Sequence, residues 1–239
     1  MNKTNLSVNI NKVALLRNSR PGEFPDLLQV AKDCEAFGAN GITVHPRPDE
    51  RHIRYADIPR LKKLVKTEFN IEGNPTREFL DLVCKYPPHQ CTLVPDAPDV
   101  LTSDSGYDTI KEKEFLSEVV DELHRNNIRV SIFIDPDPKQ VIGAKETGAD
   151  RVELYTGNYA KDYAADPVKA VKSHTQCAET AAEIGIGLNA GHDLNLSNLA
   201  YYKSAVPGLQ EVSIGHALMA DALYYGLQTT IQLYQYRLR

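Results

Sequence analysis

The stretch from Gly38 to His52 reads Gly-Ala-Asn-Gly-Ile-Thr-Val-His-Pro-Arg-Pro-Asp-Glu-Arg-His. Gly38 follows a helical pattern and is suited to end that helix, and Gly41-Ile42-Thr43-Val44 is a short run typical of a buried strand. Two histidines and two arginines follow the strand directly. Because α/β proteins bind ligands beyond the carboxyl ends of their parallel strands, the stretch predicts a site for phosphate or carbonyl groups.

Similar short apolar runs recur along the chain, each close to five residues long. Eight strands are predicted, at residues 6–10, 41–44, 69–73, 91–95, 130–134, 152–157, 186–190 and 211–214. A helical pattern separates most of them, which is typical of parallel strands joined by helical crossovers. The sequence therefore predicts a single α/β domain over residues 1–239, a (β/α)8 TIM barrel with extra helices. The main rival, an open doubly wound sheet, normally has fewer strands.

Helix boundaries are predicted from capping residues and apolar spacing. A helix is predicted from Asp26 to Phe37, and Pro75 is placed at the first turn of another. Asp166-Pro167 begins a long helix that Gly185 ends. The remaining helices are predicted at residues 58–66, 112–126, 196–203 and 216–236. Polar loops are predicted at residues 11–22 and 155–165.

Composition limits the classes of function. The chain has 239 residues, 42% of them hydrophobic and 25% charged, and a net charge of −5, so it has no basic excess for nucleic-acid binding. No apolar run approaches the roughly 18 residues of a membrane span, and no targeting segment is expected. The four separated cysteines lack a Cys-x-x-Cys pair, so we expect reduced thiols and a cytoplasmic protein.

Polar residues collect where the predicted strands end. In a parallel barrel these positions share one rim. They are Asn9, Asn11, His45, Arg47, Glu72, Asp135, Glu153, Asn189, His192, Gly215 and His216, with Thr102 in the long loop after the fourth strand. The other histidines, His89, His124 and His174, fall before a strand or within helices and are interpreted as packing or surface residues.

The carboxylates and histidines at this rim have both structural and catalytic readings. Glu72 either pairs with an arginine inside the barrel or, with a pKa raised by burial, acts as a general base. His45 and His192 are either acid–base groups or cap and turn residues. Glu153 either positions another group or fills the interior.

Two places are suited to phosphate. Gly215-His216 opens a helix, whose free N–H groups and dipole attract anions. Arg20, Arg47 and His52 lie in the first two loops and are suited to hold a second anion. Two anion sites predict two phosphorylated substrates or one doubly phosphorylated substrate.

Two other chemistries are disfavoured by the same residues. A Schiff-base enzyme needs an interior lysine at a strand end, whereas only Lys12 is near the rim. A metal hydrolase needs closely spaced ligands, whereas His45 and His52 are separated across two prolines. The residues therefore disfavour both a lysine imine on the enzyme and a bound metal.

The motifs taken together resemble one enzyme family along the whole chain. They are Val8-Asn9-Ile10-Asn11-Lys12, Leu16-Arg17-Asn18-Ser19-Arg20, Gly41-Ile42-Thr43-Val44-His45-Pro46-Arg47, Arg51-His52-Ile53, Asn70-Ile71-Glu72, Leu93-Val94-Pro95, Phe133-Ile134-Asp135, Tyr155-Thr156-Gly157, Asn189-Ala190-Gly191-His192 and Ile214-Gly215-His216. Each is weak alone, but the set in this order resembles the pyridoxine 5′-phosphate synthase family of vitamin B6 biosynthesis.

The resemblance implies a transferase on a (β/α)8 barrel that needs no cofactor or metal. It would condense 1-deoxy-D-xylulose 5-phosphate with 3-amino-2-oxopropyl phosphate into pyridoxine 5′-phosphate, phosphate and water. The resemblance also implies that family members assemble as homo-octamers through added helices. The charge balance and the lack of a long apolar run predict no nucleic-acid partner and no membrane partner.

Residue roles follow from the same resemblance. His45 and Glu72 would be proton acceptors and His192 the proton donor. The amino-ketone phosphate site would comprise Asn9, Arg20, Asp193, Gly215 and His216. The pentulose phosphate site would comprise Asn11, Lys12, Arg47, His52 and Thr102.

This chain departs from the commoner family pattern at two places. It has Asn11-Lys12 where Asp-His is commoner, and Asp193 where glycine is commoner. Lys12 keeps a cation near a phosphate, whereas Asp193 puts a carboxylate near the phosphate cradle. A phosphosugar isomerase or lyase, and a barrel that binds phosphometabolites without catalysis, remain alternatives.

Overall fold

The computed structural model describes residues 3–96 and 105–239. In these ranges eight parallel strands form one closed barrel. The strands are β1 (Asn5–Asn9), β2 (Gly41–Val44), β3 (Glu68–Gly73), β4 (Gln90–Leu93), β5 (Arg129–Ile134), β6 (Arg151–Tyr155), β7 (Gly187–Gly191) and β8 (Leu209–Ile214). Val8 of β1 is in register with Ile42 of β2 and with Ile214 of β8, which closes the barrel. The predicted (β/α)8 barrel is confirmed and the open sheet is excluded.

Helices surround the barrel. In the described part of the chain they are α1 (Asn11–Asn18), α2 (Leu27–Ala36), α3 (Asp57–Leu64), α4 (Arg77–Lys85), α5 (Lys113–Arg125), α6 (Pro138–Glu146), α7 (Gly157–Asp162), α8 (Pro167–Ile184), α9 (Leu199–Ala205), α10 (His216–Tyr225) and α11 (Leu227–Arg237). None of the described helices is both long and apolar enough to span a bilayer.

The helix caps agree with most of the predicted boundaries. The Asp26 and Asp166 side chains accept backbone hydrogen bonds at the starts of α2 and α8, and Gly185 ends α8 in the left-handed conformation at φ 67°. The placement of Pro75 at a first turn is wrong. Thr76 caps α4 by accepting a hydrogen bond from the N–H of Phe79 at 3.3 Å, so the helix starts two residues later.

Several segments differ from the sequence expectation, including α6, which was not predicted. Helix α1 replaces much of the predicted 11–22 loop because Ala14 and Arg17 are buried by tertiary packing. Helix α7 replaces part of the predicted 155–165 loop, where the buried Tyr159 hydroxyl donates to the Asn198 carbonyl at 2.7 Å. The predicted last helix is broken into α10 and α11 at Gly226, which has φ 75°.

The barrel interior is polar and the layer beneath the helices is apolar. Along β3, Phe69 and Ile71 belong to the apolar core, whereas Asn70 and Glu72 alternate with them. Asn70 hydrogen-bonds inside the barrel to the hydroxyls of Thr43 and Thr92. This alternation directs Glu72 into the interior near the carboxyl end of the strand.

All four cysteines are free thiols, of which Cys34, Cys91 and Cys177 are buried and Cys84 is half-buried. Burial raises the pKa of Cys34 to about 12, so its thiol stays protonated near neutral pH. The interpretation of the cysteines as thiols packed in or beside the core is confirmed.

Candidate functional site

A cavity of about 480 Å³ opens at the carboxyl ends of the strands. It is lined by Asn9, Asn11, Lys12, Leu15, His45, Arg47, Arg51, His52, Glu72, Val94, Phe133, Glu153, His192, Asp193, Ser213, Gly215 and His216. Twelve of the fourteen residues that were given a catalytic, binding or supporting role are in this set. Asp135 and Asn189, which were also expected at the rim, do not line the cavity. Arg20 is exposed and does not line the cavity, and Thr102 lies outside the described residues.

Glu72, near the end of β3, hydrogen-bonds to side chains of β1 and β8. Its Oε1 accepts a hydrogen bond from the Ser213 hydroxyl at 3.3 Å, and its Oε2 accepts one from Asn9 Nδ2 at 3.4 Å. Burial raises the pKa of Glu72 to about 7, although the Ser213 hydrogen bond opposes the shift. The carboxyl group therefore exchanges a proton in the range where a general acid or base is most useful.

Glu153 is a second interior carboxyl group, on β6. It is 4% exposed and lies against Gly191, where a Cβ atom would overlap its Oε1. Burial and the negative charge of Glu72 raise the pKa of Glu153 well above its usual range. Because two buried carboxylates resist being charged together, Glu153 keeps its proton and can donate a hydrogen bond.

His45 follows β2, and its backbone is hydrogen-bonded to the first residue of α1. The side-chain oxygen of Asn11 accepts the backbone N–H of His45 at 2.9 Å. Burial, with the positive charge of Arg47 next in size, lowers the pKa of His45 well below its usual value. The imidazole is therefore neutral near pH 7 and has a nitrogen able to accept a proton.

His192 follows β7 in an uncommon backbone conformation, with φ 81°. The Thr156 hydroxyl donates to the carbonyl oxygens of Gly191, at 2.8 Å, and of His192. The imidazole packs edge-on against the Tyr155 ring, with centroids 5.3 Å apart. The ring is thus held by its backbone and by an aromatic neighbour.

Cationic groups line the side of the cavity formed by β1 and β2. Lys12, Arg47 and Arg51 are there, and the buried Arg47 guanidinium forms an ion pair with Asp96. His52 accepts the N–H of Ile53 at its Nδ1, at 2.9 Å, and burial lowers its pKa to about 4. This side offers guanidinium, ammonium and neutral imidazole N–H donors to an anion.

The N-terminus of α10 faces the same cavity. Gly215 is its capping residue and His216 its first residue, and both line the cavity. A Cβ atom on Gly215 would lie 3.1 Å from Asn9 Cβ, so glycine allows β1 and β8 to approach closely here. Free N–H groups and the helix dipole make this a second region of positive potential.

The remaining histidines have structural partners. His89 accepts the N–H of Phe69 at 2.9 Å, His124 pairs with Asp150 at 2.8 Å, and His174 lies 2.9 Å from the Tyr202 hydroxyl. Their interpretation as packing or surface residues is confirmed. Over residues 3–96 and 105–239 no group of three or more His, Cys, Asp or Glu side chains is arranged to hold a metal ion.

Several lining residues were not selected from the sequence. Ser213 lies inside β8, where nothing local indicates that its hydroxyl reaches Glu72. Leu15 lies in α1, a segment predicted as loop. Val94 and Phe133 belong to apolar strand segments that match ordinary core. Arg51 was noted only as a neighbour of His52. Its nearness in the sequence to other cationic residues was the one sign that it could contact a phosphate.

Comparison with known proteins matches one family over nearly the whole chain. The profile of the family described as pyridoxal phosphate biosynthesis protein PdxJ matches residues 6–239. The pyridoxine 5′-phosphate synthase of Christiangramia forsetii is 58% identical over 231 residues, covering 97% of this chain and 98% of the relative. The pyridoxine 5′-phosphate synthase of Bacteroides thetaiotaomicron is 59% identical over 236 residues, covering 99% of this chain and 100% of the relative.

Solved structures of other enzymes share the fold. A 4-hydroxy-2-oxoglutarate aldolase has a TM-score of 0.64 at 16% identity and covers 98% of this chain and 94% of its own. A thiamine phosphate pyrophosphorylase from Pyrococcus furiosus has a TM-score of 0.62 at 10% identity, with coverage of 98% and 95%. At these identities the likeness describes the barrel and not the chemistry.

Proposed function

Because the chain belongs to the family of the pyridoxal phosphate biosynthesis protein PdxJ, we propose that it catalyses the pyridoxine 5′-phosphate synthase reaction. The substrates are 1-deoxy-D-xylulose 5-phosphate and 3-amino-2-oxopropyl phosphate, and the products are pyridoxine 5′-phosphate, inorganic phosphate and water. The observation that carries the proposal is one cavity that joins three acid–base side chains to two regions of positive potential.

The acid–base groups match the demands of ring closure. Imine formation, loss of phosphate, hydration, aldol-type closure and dehydration all move protons, and no step oxidises or reduces the substrates. Neutral His45 and Glu72, with its pKa near 7, act as proton acceptors, and His192 acts as the donor. Glu72 can take up a proton and return it because its pKa is close to neutral pH.

The imine forms between the two substrates. Lys12 is the lysine among the residues lining the described cavity, and it lies at the start of α1 beside the anion-binding side chains. Its ammonium group serves as a cation for phosphate. The amine required for the imine is already present on the amino-ketone substrate.

Each phosphate has its own site. Asn11, Lys12, Arg47 and His52, together with Thr102, bind the pentulose phosphate through side-chain donors. Asn9, Gly215, His216 and the backbone of Asp193 bind the amino-ketone phosphate at the start of α10. The family resemblance assigns Arg20 to the same phosphate, although Arg20 does not line the cavity. Glu153, with its proton retained, is a supporting group that influences Glu72 electrostatically.

The enzyme is a cytoplasmic transferase that assembles as a homo-octamer. Leu223 and Tyr224 near the end of α10 are 83% and 86% exposed, and such apolar side chains are suited to subunit contacts. Sedimentation velocity tests the assembly, for which we expect a single species of eight chains. A monomer at micromolar concentration contradicts it.

The activity is tested by mixing the protein with both substrates. We expect a pyridine chromophore and inorganic phosphate to appear in equal amounts, and neither to appear with one substrate alone. Conversion of the pentulose phosphate alone to another sugar phosphate favours an isomerase, which needs one anion site. Binding of both compounds without turnover favours the non-catalytic alternative.

A further inference from the structure

The end of α1 carries two residues, Arg17 and Asn18, to which the proposed catalytic machinery gives no role. We propose that they are positioning residues that hold the loop at residues 50–52 and thereby set the affinity for the pentulose phosphate group. This inference rests on the proposed function, because it assigns the phosphate of one substrate to that loop. It concerns residues that lie outside the cavity lining.

Arg17 is a buried cation whose guanidinium donates to several acceptors. It is 1% exposed, and its Nη1 and Nη2 atoms donate to the two carboxylate oxygens of Asp57 at 2.8 and 2.9 Å. Nη2 also donates to the carbonyl oxygen of His52 at 3.1 Å. A buried ion pair is tolerated only with this kind of bidentate geometry and additional hydrogen bonds. The pair therefore fixes the end of α1 to the start of α3.

Asn18 completes the attachment. Its Nδ2 donates to the carbonyl oxygens of Glu50, Arg51 and His52 at 3.1, 3.2 and 2.7 Å. Its Oδ1 accepts from Arg17 Nε at 3.1 Å, which sets the orientation of the amide. Three consecutive carbonyls converge on one amide, and Glu50 adopts φ 49°. A non-glycine residue in that conformation persists when its surroundings hold it.

The held loop carries two cavity residues, Arg51 and His52. His52 Nδ1 accepts the N–H of Ile53, so the proton of the neutral ring is on Nε2. The nitrogen left for a ligand is thus a hydrogen-bond donor, as a phosphate oxygen requires. Because the His52 carbonyl is bound by both Arg17 and Asn18, the backbone of this donor is ordered before the ligand arrives. Such preorganisation lowers the entropy cost of binding.

A purely structural role makes a different prediction. If Arg17 and Asn18 only joined α1 to α3, their loss would lower the unfolding temperature without changing the KM of one substrate more than that of the other. If they position the loop, the loss is concentrated in the KM of the substrate whose phosphate binds there. The KM of the other substrate and kcat then change little.

The decisive variant is Asn18→Ala, with Ser19→Ala as the matched control. Ser19 is the next residue at the same helix end, is exposed, and donates to the Leu16 carbonyl. We expect Asn18→Ala to raise the KM for 1-deoxy-D-xylulose 5-phosphate about tenfold, as loss of a well-ordered set of hydrogen bonds does. The KM for the amino ketone and kcat should stay within about twofold. Ser19→Ala should change none of the three.

Inhibition by inorganic phosphate is an independent measurement of affinity at the same site. In Asn18→Ala its inhibition constant against the pentulose should rise with the KM, while that against the amino ketone should not. Arg17→Lys, which keeps a cation beside Asp57, and Asn18→Ser should shift the same constants in the same direction. These variants stand in for Asn18→Ala if it does not fold.

Unchanged constants in folded Asn18→Ala and Arg17→Lys overturn the inference, as does an equal rise in both KM values. If the wild-type protein forms no pyridine product, the proposed function fails instead. The loop is then tested by calorimetry with inorganic phosphate. Weaker binding to Asn18→Ala than to Ser19→Ala upholds the positioning role, and equal binding overturns it.

Discussion

The Nδ1 atom of His192 lies 3.0 Å from Oδ2 of Asp193, and both residues have positive φ, 81° and 47°. Two successive non-glycine residues in this region carry a conformational cost. The hydrogen bond lowers the pKa of Asp193, so the carboxylate is charged beside the imidazole. The carboxylate orients the ring of the proposed proton donor and favours a proton on Nδ1.

Replacing Asp193 with glycine removes the carboxylate that orients His192 while allowing the same backbone conformation. Glycine suits φ 47°, so we expect Asp193→Gly to change the free energy of unfolding by less than about 1 kcal/mol. We expect kcat to fall about tenfold because the ring loses its partner. Urea unfolding and steady-state kinetics measure the two effects. Asp193→Asn, which keeps an acceptor without the charge, should be intermediate. A wild-type kcat in Asp193→Gly would remove the orienting role.

Removing the charge of Glu72 should abolish most of the activity. Glu72→Gln keeps the shape and the contacts with Asn9 and Ser213 but cannot take a proton. We expect kcat to fall about 10²-fold or more, the usual loss for a general base. Single-turnover measurements of pyridine formation test this. Turnover at the wild-type rate would show that another group is the base.

The same substitution should stabilise the fold at alkaline pH. The folded-state pKa of Glu72, about 7, is above the ordinary value of 4.5. Between these values the unfolded chain binds fewer protons, so the stability contributed by this group falls as the pH rises. Glutamine does not ionise, and we expect Glu72→Gln to be more stable than wild type at pH 8 by on the order of 1–3 kcal/mol. The difference in urea unfolding should shrink towards pH 5, and a constant difference would contradict it.

The fold was largely predictable because strong local signals agree with it. β2 was predicted with the correct bounds, since Gly41 and β-branched residues mark it out. Helix α1 was missed because its helical state depends on burial of Arg17 by Asp57, forty residues away along the chain. No local periodicity contains that contact.

The site was predictable where function follows from position at a strand end. Asn9, Glu72 and His192 were identified in this way. Ser213 was not, because its role depends on the closure that brings β8 near β3, 141 residues away along the chain. The ion pair of Arg47 with Asp96 was missed for the same reason. A sequence pattern identifies the groups at the rim and leaves their partners undetermined.

Ser213 provides a test of what sets the Glu72 pKa. Its hydroxyl stabilises the ionised carboxylate, so Ser213→Ala should raise the Glu72 pKa above about 7. The acidic limb of the pH profile of kcat/KM should move upwards by about half a pH unit to one unit, with little change at high pH. Ser131→Ala, at a buried serine of β5, is the control and should leave the limb in place. An unmoved limb in Ser213→Ala would assign it to another group.

Gly191 and Glu153 should behave as a coupled pair. A methyl group at Gly191 would overlap Glu153 Oε1, so Gly191→Ala should push the carboxyl group from its place and destabilise the fold by about 1–3 kcal/mol. Removing the obstacle with Glu153→Ala should restore part of this loss, so the double variant should be more stable than the sum of the two single effects predicts. The cycle is measured by urea unfolding at pH 8. Additive losses would mean that Gly191 is required by its backbone and not by the carboxyl group beside it.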